Sequence, residues 1–311
     1  MRVVLAEPRG FCAGVDRAIA IVDRALEKFG APIYVRHEIV HNRHVVEGLR
    51  VKGAVFVDEL DDVPDGETVI YSAHGVSKAV QEEGASRPLR VLDATCPLVS
   101  KVHREAIRLD QEGYQVILIG HKGHPEVEGT IGHLPQGRVA VVSDGDEVAV
   151  LPDASSDLVA YITQTTLSVD ETAETVSALG KRFPGIRGPD REDICYATQN
   201  RQNAVKALAE QCDLILVLGA PNSSNSNRLR EVAERAGTDA KLIESAADVE
   251  TAWLTGVNCL GITAGASAPE NLVNELLDFL KDRISATEVL SVSQELMSFP
   301  LPKELQDWAE F

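Results

Sequence analysis

Residues 2–30 read RVVLAEPRGFCAGVDRAIAIVDRALEKFG and form one strand, loop and helix unit. A short apolar run at residues 2–5 predicts a buried strand, and a glycine-rich loop carrying Cys12 follows it. The apolar residues of 15–29 then recur with helical spacing in one stripe, and Gly30 is typical of a helix end. This order is the building unit of α/β proteins with parallel sheets.

The same order recurs along the 311-residue chain. Further apolar runs predict strands at residues 33–35, 69–71, 91–92, 116–119, 139–142, 158–162, 214–218 and 259–262. Helical periodicity follows most of these runs, so the sequence predicts an α/β fold with largely parallel sheets. Such sheets place binding groups in the loops after the carboxyl ends of their strands.

The composition is typical of a globular protein, with 44% hydrophobic and 25% charged residues. A net charge of −18 argues against general nucleic-acid binding, because neutralising phosphates requires a basic surface. Backbone amides and histidines can still bind a small anion locally. No stretch approaches the roughly 20 apolar residues of a membrane span, and the first residues lack the pattern of a secretory signal. We therefore expect a cytoplasmic protein with no nucleic-acid partner and no membrane partner.

The five cysteines are an odd number, and none lies in a C-x-x-C pair. A disulfide framework and the common zinc spacings are therefore not indicated. Cys212 and Cys259 flank apolar strands, and we interpret them as small buried hydrophobic residues. Cys12, Cys96 and Cys195 lie beside glycine, proline or polar residues directly before helical segments.

The three loop cysteines are separated by about the length of a small domain. A structural [4Fe–4S] cluster usually takes four cysteine ligands, so three would leave one iron open to a substrate oxygen. The alternative is that these cysteines too are small buried residues. Their shared position before helices favours the metal-ligand interpretation.

Six other loops after predicted strands carry polar groups suited to an anion. They are residues 38–41, 72–75, 120–126, 163–166, 221–227 and 263–267. Three cysteine loops and six polar loops fit three similar α/β domains that each supply one cysteine and two polar loops. We expect domains at residues 1–97, 98–193 and 194–281, and a tail of residues 282–311 that packs back on the body.

Single residues in these loops have both a functional and a structural interpretation. His41, His74 and His124 can donate to phosphate or change charge near neutral pH, although isolated histidines are mostly ordinary surface residues. Glu126 is a possible proton donor if burial raises its pKa, and it is equally a glutamate favoured at a helix start. The sequence leaves both interpretations open.

Residues 223–227 read SSNSN and precede a helix that we predict to begin near Arg228. Short polar side chains cap helices, but five of them exceed what one cap needs, and amides at a helix start favour phosphate. Residues 263–267 and the hydroxyls of Thr165 and Thr166 extend this polar character. The loops together predict an anion-binding pocket around three thiolates. The other histidines are interpreted as structural or supporting: His37, His44, His103, His121 and His133.

Three strings around the loop cysteines resemble motifs of the 4-hydroxy-3-methylbut-2-enyl diphosphate reductase family. They are GFCAGVDRA at residues 10–18, DATCPLV at 93–99 and ICYAT at 194–198. The strings GHPE at 123–126, TQTT at 163–166, SSNSN at 223–227, TAGASAP at 263–269 and FPLPKEL at 299–305 resemble its remaining motifs. The resemblance runs in order through the whole chain, with no departure at a motif position. That family performs the last step of the non-mevalonate isoprenoid pathway.

The resemblance implies a fold and a cofactor. Three α/β domains would form a pseudo-threefold trefoil around a central [4Fe–4S] cluster. Cys12, Cys96 and Cys195 would ligate the cluster, and the substrate hydroxyl would bind its open iron. A ferredoxin or a flavodoxin would deliver two electrons one at a time.

The resemblance also implies a reaction, the reduction of (E)-4-hydroxy-3-methylbut-2-enyl diphosphate to isopentenyl diphosphate and dimethylallyl diphosphate with loss of water. Glu126 would be the main proton source, with His124 beside it, and Thr165 would orient the substrate hydroxyl. The diphosphate would be held by His41, His74, His124, Ser223, Ser224, Asn225 and Ser267.

Two rival functions use the same residues. A zinc-dependent hydrolase of small phosphates would use the cysteine, histidine and glutamate set, although zinc favours neither an open three-cysteine site nor six phosphate-binding loops. An iron–sulfur sensor, or a module that binds a phosphorylated metabolite, would not need Glu126 beside the anion. The colour of the anaerobically purified protein separates an iron–sulfur protein from a zinc protein.

Overall fold

The computed structural model describes residues 1–154 and 158–306, which contain twelve strands, eleven α-helices and four short 3₁₀ helices. The strands are β1 (Arg2–Glu7), β2 (Ile33–Arg36), β3 (Ala54–Val57), β4 (Thr68–Tyr71), β5 (Arg90–Asp93), β6 (Gln115–Ile119), β7 (Val139–Val142), β8 (Val159–Thr163), β9 (Leu214–Leu218), β10 (Asp239–Ile243), β11 (Cys259–Ala264) and β12 (Ala286–Ser291). The α-helices are α1 (Ala13–Phe29), α2 (Arg43–Lys52), α3 (Lys78–Ser86), α4 (Pro97–Gln111), α5 (Pro125–Ile131), α6 (Gly145–Ala149), α7 (Val169–Arg182), α8 (Tyr196–Ala209), α9 (Ser224–Arg235), α10 (Glu270–Leu280) and α11 (Lys303–Gln306). The 3₁₀ helices are Leu60–Asp62, Ala246–Asp248, Thr251–Leu254 and Lys281–Arg283.

The chain forms two compact units, each built from several segments. Unit 1 comprises Met1–Val15, His41–Val45 and Tyr196–Met297. Unit 2 comprises Asp16–Val40, Val46–Cys195 and the described part of the last segment, residues 298–306. Each unit therefore combines residues that are distant in the sequence.

Unit 1 contains one five-stranded parallel sheet in the order β10–β9–β11–β1–β12. Its central strands β9, β11 and β1 are buried on both faces, as is typical of parallel sheets covered by helices. In β1, Val3 and Leu5 pack into the core on one face, whereas Val4 and Ala6 pack into the core on the other. This alternation explains why the strand reads as a continuous apolar run.

Unit 2 contains two smaller parallel sheets, ordered β3–β2–β4–β5 and β7–β6–β8. The central strand β6 is again buried on both faces, with Val116 and Leu118 in one core and Ile117 and Ile119 in the other. After leaving β8, the chain returns alongside β8, where Arg187 forms an isolated parallel bridge with Ala160. This return brings the segment before Cys195 alongside the three-stranded sheet.

The parallel sheets and the alternation of strands and helices confirm the predicted α/β class. Helix α1 begins two residues before the predicted stripe, and Gly30 follows it with φ +79°, a conformation that glycine adopts without strain. Three strands were not predicted, namely β3, β10 and β12. All three lie at sheet edges, where exposed positions interrupt the apolar run.

The predicted first segment, residues 1–97, does not match the sheet membership of its first strand. β1 pairs with β11 and β12, so residues 2–7 belong to the sheet of unit 1, whereas β2 to β5 form a sheet of unit 2. Periodicity predicts that a strand forms but not which distant strand it pairs with. The predicted domain boundaries stay predictions. The trefoil arrangement of three domains stays a prediction.

The predicted tail, residues 282–311, divides between the two units. Its β12 pairs with β1 in unit 1, and in unit 2 the Pro300 carbonyl accepts a hydrogen bond from Arg17 Nε at 2.8 Å. Leu305 is buried, whereas residues 307–311 lie outside the described residues. Among the described residues, no helix has both the length and the apolar character needed to cross a bilayer.

Candidate active site

In unit 1, three loops meet at the carboxyl ends of β1, β9 and β11. The Gly265 amide donates to the Leu218 carbonyl at 2.8 Å, and the Gly10 amide donates to the Ala264 carbonyl at 3.0 Å. The Cys12 amide donates to the Ala266 carbonyl at 3.3 Å. The strand order reverses here, because the chain leaves β9 on one side for β10 and then crosses to β11 on the other. Such switch points are the usual binding positions of open α/β sheets.

Glycine is required at two positions in these loops. A Cβ atom on Gly219 or on Gly265 would meet the Ser226 hydroxyl far inside contact distance. The Ser226 side chain is fully buried and fills the space between the two loops. Both loops can therefore approach the first turn of α9 only without a side chain.

The polar segment 223–227 begins helix α9 rather than preceding it. The predicted start near Arg228 was wrong, because the helix begins at Ser224 and Ser223 is its N-cap. The Ser223 hydroxyl accepts from the Ser226 amide at 3.3 Å and from the Ser226 hydroxyl at 3.0 Å. Capping and functional interpretations of Ser223 are thus compatible. Backbone amides at this helix start favour an anion.

The Asn225 carboxamide connects the start of α9 to the loop after β11 and to helix α8. Its Oδ1 atom accepts from the Ala266 amide at 2.9 Å, and its Nδ2 atom donates to the Thr198 hydroxyl at 3.4 Å. The neighbouring Ser267 hydroxyl donates to the His41 carbonyl at 2.9 Å. We call Ser223, Asn225 and Ser267 the amide cluster, because neutral hydroxyl, carboxamide and backbone amide groups hold it together.

His41 and Ser224, also predicted to bind the diphosphate, lie in unit 1 beside this cluster. His41 Nδ1 is 3.3 Å from Asn222 Nδ2, and its carbonyl receives the Ser267 hydrogen bond. Ser224 is the first residue of α9, directly after the N-cap. The structure therefore brings five of the predicted anion-binding residues together in unit 1.

The backbone directly before Cys12 is held by an arginine that was not among the predicted site residues. Arg201 is fully buried, and its guanidinium donates to the Gly10 carbonyl at 2.7 and 3.0 Å and to the Phe11 carbonyl at 3.1 Å. Its Nη1 atom also pairs with Glu295 at 3.0 Å. Burial raises the pKa of the Cys12 thiol, while the amide of Val15 and the charge of Arg201 oppose this shift.

A sequence signal for Arg201 existed in helix α8. Buried polar residues Thr198, Arg201 and Gln202 occupy positions i, i+3 and i+4, where an ordinary core helix has apolar residues. A polar stripe on the buried face of a helix indicates a hydrogen-bonded network. Identifying its partners, however, requires the backbone of residues 10–11, which are distant in the sequence.

In unit 2, the loops that carry Cys96 and Cys195 are fixed through their backbones. The Cys96 amide donates to the Ala73 carbonyl at 3.0 Å, next to His74. The Cys195 amide donates to the Thr165 carbonyl, also at 3.0 Å. Each of these cysteines directly precedes a helix, α4 and α8 respectively, as Cys12 directly precedes α1.

Glu126 and Thr165 form the closest polar contact among the predicted site residues. Glu126 is 3% exposed, and its Oε1 atom accepts from the Thr165 amide at 2.7 Å. Its Oε2 atom lies 2.8 Å from the Thr165 hydroxyl, which donates to it. Burial raises the pKa of Glu126 to about 7, although the two hydrogen bonds from Thr165 oppose the shift. The carboxyl group can therefore hold a proton near neutral pH.

His124 lies directly beside this carboxyl group and caps helix α5. Its Nδ1 atom accepts from the Glu126 amide at 3.1 Å, so the neutral ring carries its proton on Nε2. The His124 and His74 rings are 5.8 Å apart in an edge-to-face arrangement. We call His124, Glu126 and Thr165 the acid cluster, because a carboxyl group is its central partner.

The segment before Cys195 depends on a second buried acid, Asp193, whose role the sequence analysis did not assign. Asp193 Oδ2 accepts from the Thr163 amide, and its Oδ1 atom pairs with Lys101 Nζ, both at 3.0 Å. Lys101 also donates to the carbonyls of Arg191 and Glu192. Burial raises the pKa of Asp193, and the bonds from Thr163 and Lys101 lower it.

His103 has the supporting role that the sequence predicted. His103 is buried against Gly75, the residue after His74. The centroids of the His103 and His133 rings are 4.5 Å apart. Burial lowers the pKa of His103 to about 3, so the ring stays neutral. A side chain at Gly75 would collide with this ring, which explains the glycine.

The described residues contain no group of three or more histidine, cysteine, aspartate or glutamate side chains placed to hold a metal ion. None of the five cysteines, all of which are described, forms a disulfide. The predicted roles of the site residues, including cluster ligation by Cys12, Cys96 and Cys195, accordingly stay predictions.

Comparison with known proteins identifies the family. The family described as LytB protein matches residues 3–281. A 4-hydroxy-3-methylbut-2-enyl diphosphate reductase of Magnetococcus marinus is 70% identical over 307 residues, covering 99% of this chain and 100% of that relative. One from Neisseria meningitidis is 59% identical over 308 residues, covering 98% and 95%.

A solved structure agrees with these sequence relatives. The E-1-hydroxy-2-methyl-but-2-enyl-4-diphosphate reductase of Plasmodium falciparum superposes with a TM-score of 0.94 at 38% identity, covering 98% of this chain and 96% of that one. The resemblance inferred from the sequence motifs is thereby confirmed. Because the matched family spans nearly the whole sequence, this chain belongs to the LytB family.

Proposed function

We propose that this chain reduces (E)-4-hydroxy-3-methylbut-2-enyl diphosphate to isopentenyl diphosphate and dimethylallyl diphosphate. The reaction consumes two electrons and two protons. The carbon–oxygen bond to the hydroxyl group breaks, one proton leaves with that oxygen as water, and the other forms a new carbon–hydrogen bond. The family match and the reductase relatives support this reaction type.

The observation that carries the proposal is the buried position of Glu126, whose two carboxyl oxygens accept hydrogen bonds from Thr165. A carboxyl group whose pKa is raised to about 7 by burial holds a proton at the pH where it must donate one. The hydrogen bonds from Thr165 fix the direction of both carboxyl oxygens. Hydroxide is a poor leaving group, so protonation of the departing oxygen lowers the barrier.

Thr165 and His124 position this acid. In our proposal the Thr165 hydroxyl binds both Glu126 and the substrate hydroxyl, linking the proton source to the oxygen that leaves. His124 uses Nδ1 to cap α5, and in our proposal its Nε2 atom donates to a phosphate oxygen. His74, whose Nδ1 atom is 3.3 Å from the Ser72 hydroxyl, would donate in the same way.

The amide cluster is our proposed holder of the diphosphate from unit 1. Hydroxyl and amide donors at the start of α9 bind phosphate without a fixed positive charge. The diphosphate does not react, so its binding energy serves to position the reacting carbon. The unit 1 residues proposed for this role are His41, Ser223, Ser224, Asn225 and Ser267.

A [4Fe–4S] cluster held by Cys12, Cys96 and Cys195 is the cofactor that we propose. These residues suit it chemically, because all three are cysteines outside any disulfide that directly precede helices on backbones fixed by hydrogen bonds. When bound, a cluster with three protein ligands supplies single electrons and one iron with an open coordination position. We further propose a cytoplasmic location, with a ferredoxin or a flavodoxin as the electron donor.

The role of Glu126 is tested by Glu126→Gln, which keeps the shape but removes the proton. We expect turnover with a strong chemical reductant under anaerobic conditions to fall at least about 100-fold, as for loss of a general acid. Iron content and diphosphate affinity should stay at wild-type values. The matched control is Glu128→Gln, an exposed glutamate two residues later in α5. Wild-type turnover in Glu126→Gln would remove this residue from the mechanism.

The cofactor is tested by anaerobic purification with iron and sulfide counting. We expect a brown protein with broad absorbance near roughly 400 nm, and loss of that absorbance in Cys195→Ser. Cys212→Ser is the matched control, because Cys212 is buried and lies outside both clusters. A colourless protein containing zinc would support the hydrolase alternative instead.

A further inference from the structure

Two cysteines that the proposed reaction does not use lie in contact in unit 1. Cys212 and Cys259 are 47 residues apart in the sequence, and their Sγ atoms are 3.4 Å apart. Their residues are only 7% and 6% exposed. The sequence alone predicts two separate buried residues at these positions. The structure confirms that they are buried and also makes them neighbours.

The pair lies at the amino end of the unit 1 sheet, whereas the amide cluster lies at the carboxyl end. Cys259 is the first residue of β11, and Cys212 stands two residues before β9. Leu260 is the register partner of Leu214, so Cys259 lies opposite Asp213 and diagonally beside Cys212. The dithiol is therefore separate from the proposed active site.

The backbone around the pair is fixed at both strands. The Asp213 amide donates to the Cys259 carbonyl at 2.9 Å, and Asp213 Oδ2 accepts from the Asn258 and Cys259 amides at 2.8 and 2.9 Å. The Cys212 amide donates to the Leu208 carbonyl at 3.0 Å. A disulfide has a sulfur–sulfur distance of about 2.05 Å. A movement on the order of 1 Å, within the reach of side-chain rotation, would join the two sulfur atoms.

An arginine lies against one of the two sulfur atoms. Arg2 Nη2 is 3.4 Å from Cys259 Sγ, while Nη1 of the same guanidinium pairs with Glu288 at 2.8 Å. A neighbouring guanidinium stabilises the thiolate form of a cysteine, which is its reactive form. Burial raises the pKa of the Cys212 thiol, so Cys212 keeps its proton. The two sulfur atoms thus have different surroundings, because Cys259 Sγ lies against a guanidinium and Cys212 keeps its proton.

A metal ion is the less suitable occupant of this position. The positive charge of Arg2 repels a cation, and the described residues supply no third side chain to complete a metal site here. A small neutral oxidant meets neither obstacle. The arginine therefore favours oxidation chemistry over metal binding.

We propose that Cys212 and Cys259 form an oxidation site, which a hydroperoxide converts into a reversible intramolecular disulfide. The Cys259 sulfur attacks one oxygen of hydrogen peroxide, the oxygen–oxygen bond breaks, and Cys259 becomes a sulfenic acid, while its thiol proton leaves with the other oxygen as water. The Cys212 sulfur then attacks the Cys259 sulfur, the sulfur–oxygen bond breaks as the sulfur–sulfur bond forms, and the Cys212 proton leaves with the hydroxyl group as the second water. The two thiols lose two electrons, and the peroxide is reduced to two waters. A dithiol reductant reverses the reaction.

The disulfide would join the starts of β9 and β11 across a 47-residue separation. Closing a loop of this length restricts the unfolded chain, which stabilises the folded unit. We expect oxidised protein to melt at a temperature several degrees higher than Cys212→Ala protein treated with the same oxidant. This comparison cancels any effect of the oxidant on the other cysteines.

The test treats the anaerobically prepared full-length protein with near-stoichiometric hydrogen peroxide. Free thiols are then alkylated, the protein is digested, and the peptides are analysed by mass spectrometry. We expect the Cys212 and Cys259 peptides to be joined by a disulfide, and dithiothreitol to separate them. Absence of this joined peptide, while the other cysteines oxidise, would overturn the proposal. The wild-type protein alone decides this outcome, so it does not depend on the folding of a variant.

The role of the arginine is tested by the rate of disulfide formation. In Arg2→Met we expect this rate to fall roughly 10-fold, because the guanidinium beside Cys259 Sγ is lost. Glu288→Gln is the matched control, since it removes the same ion pair but leaves the guanidinium beside the sulfur. Equal rates of disulfide formation in Arg2→Met and in the wild type would refute a role of Arg2 in activating Cys259. Failure of the proposed reductase reaction would leave this chemistry unaffected.

Discussion

The amide cluster of unit 1 and the acid cluster of unit 2 are held in similar ways but respond differently to pH. Each is formed by loops at the carboxyl ends of parallel strands, and in each a side chain accepts a hydrogen bond from the amide of a neighbouring loop. In unit 1 that acceptor is the Asn225 carboxamide, whereas in unit 2 it is the Glu126 carboxylate. The neutral carboxamide can bind an anion at any pH. Of these two groups, only the carboxyl group can transfer a proton near neutral pH.

The difference separates binding from chemistry. The Ser223, Asn225 and Ser267 side chains, which we propose bind the diphosphate, carry no group that titrates near neutral pH. A leaving hydroxyl group needs an acid that is still protonated near pH 7, and burial gives Glu126 this property. The three predictions that follow alter one side of the comparison at a time.

The largest expected effect comes from removing the arginine that holds the Cys12 loop in unit 1. Arg201→Met leaves Glu295 without its buried arginine partner. It also removes the guanidinium that donates to the carbonyls of Gly10, Phe11 and Ala197. Removing one member of a buried ion pair costs about 3–5 kcal/mol, and we expect the free energy of unfolding to fall by this amount. Chemical denaturation measures it.

The control for this variant is Arg50→Met, which removes an exposed ion pair with Glu47. Such surface pairs contribute about 0–1 kcal/mol. Equal losses in the two variants would show that burial of Arg201 has no special importance. A further readout is the iron content after anaerobic reconstitution, which should fall only in Arg201→Met.

The next effect concerns the stability of the acid cluster as the pH changes. The pKa of Glu126 is about 7 in the folded chain and about 4.5 in an unfolded one, so between these values the folded chain binds more protons. Its favourable contribution is therefore complete below about pH 4 and is lost as the pH rises through 7. At 1.36 kcal/mol for each pKa unit, the loss approaches about 3 kcal/mol.

Glu126→Gln has no such titration. We expect its free energy of unfolding, relative to that of the wild type, to increase as the pH is raised from 4 to 8. Urea denaturation of both proteins at several pH values measures the difference. Parallel stability curves would show that Glu126 does not titrate in this range.

The smallest effect makes the amide cluster resemble the acid cluster. Asn225→Asp keeps an oxygen acceptor for the Ala266 amide but adds a negative charge beside the proposed diphosphate. We expect KM to rise about 10- to 100-fold, equivalent to about 1.4–2.8 kcal/mol, with a smaller change in kcat. Asn271→Asp adds the same charge at an exposed position of α10 and should leave KM unchanged. An unchanged KM in Asn225→Asp would remove this residue from the diphosphate site.

The local features of this fold were predictable because they depend on neighbouring residues. The central strands are apolar on both faces, and helix α1 ends at a glycine, so periodicity located them. Edge strands such as β12, which is mostly exposed, carry no such signal. The pairing of β1 with β11 joins residues at opposite ends of the sequence, and no local pattern records it.

The candidate site was predictable to the extent that its residues lie in loops after strands. Glu126 and Thr165 were found in this way, and the structure shows that they are in contact. Arg201 and Asp193 were missed because their roles come from buried contacts with distant backbone groups. Their charge alone suggested an ordinary surface residue.

The position of β1 has a consequence for synthesis on the ribosome. The first strand of the chain must wait for β11 and β12, more than 250 residues later, before either neighbour in its sheet exists. The Cys12 amide likewise donates to the carbonyl of Ala266, which is synthesised much later. The segments of unit 2 up to Cys195 emerge long before that point and can fold first. The amino-terminal strand is therefore among the first residues to be made and among the last to be placed.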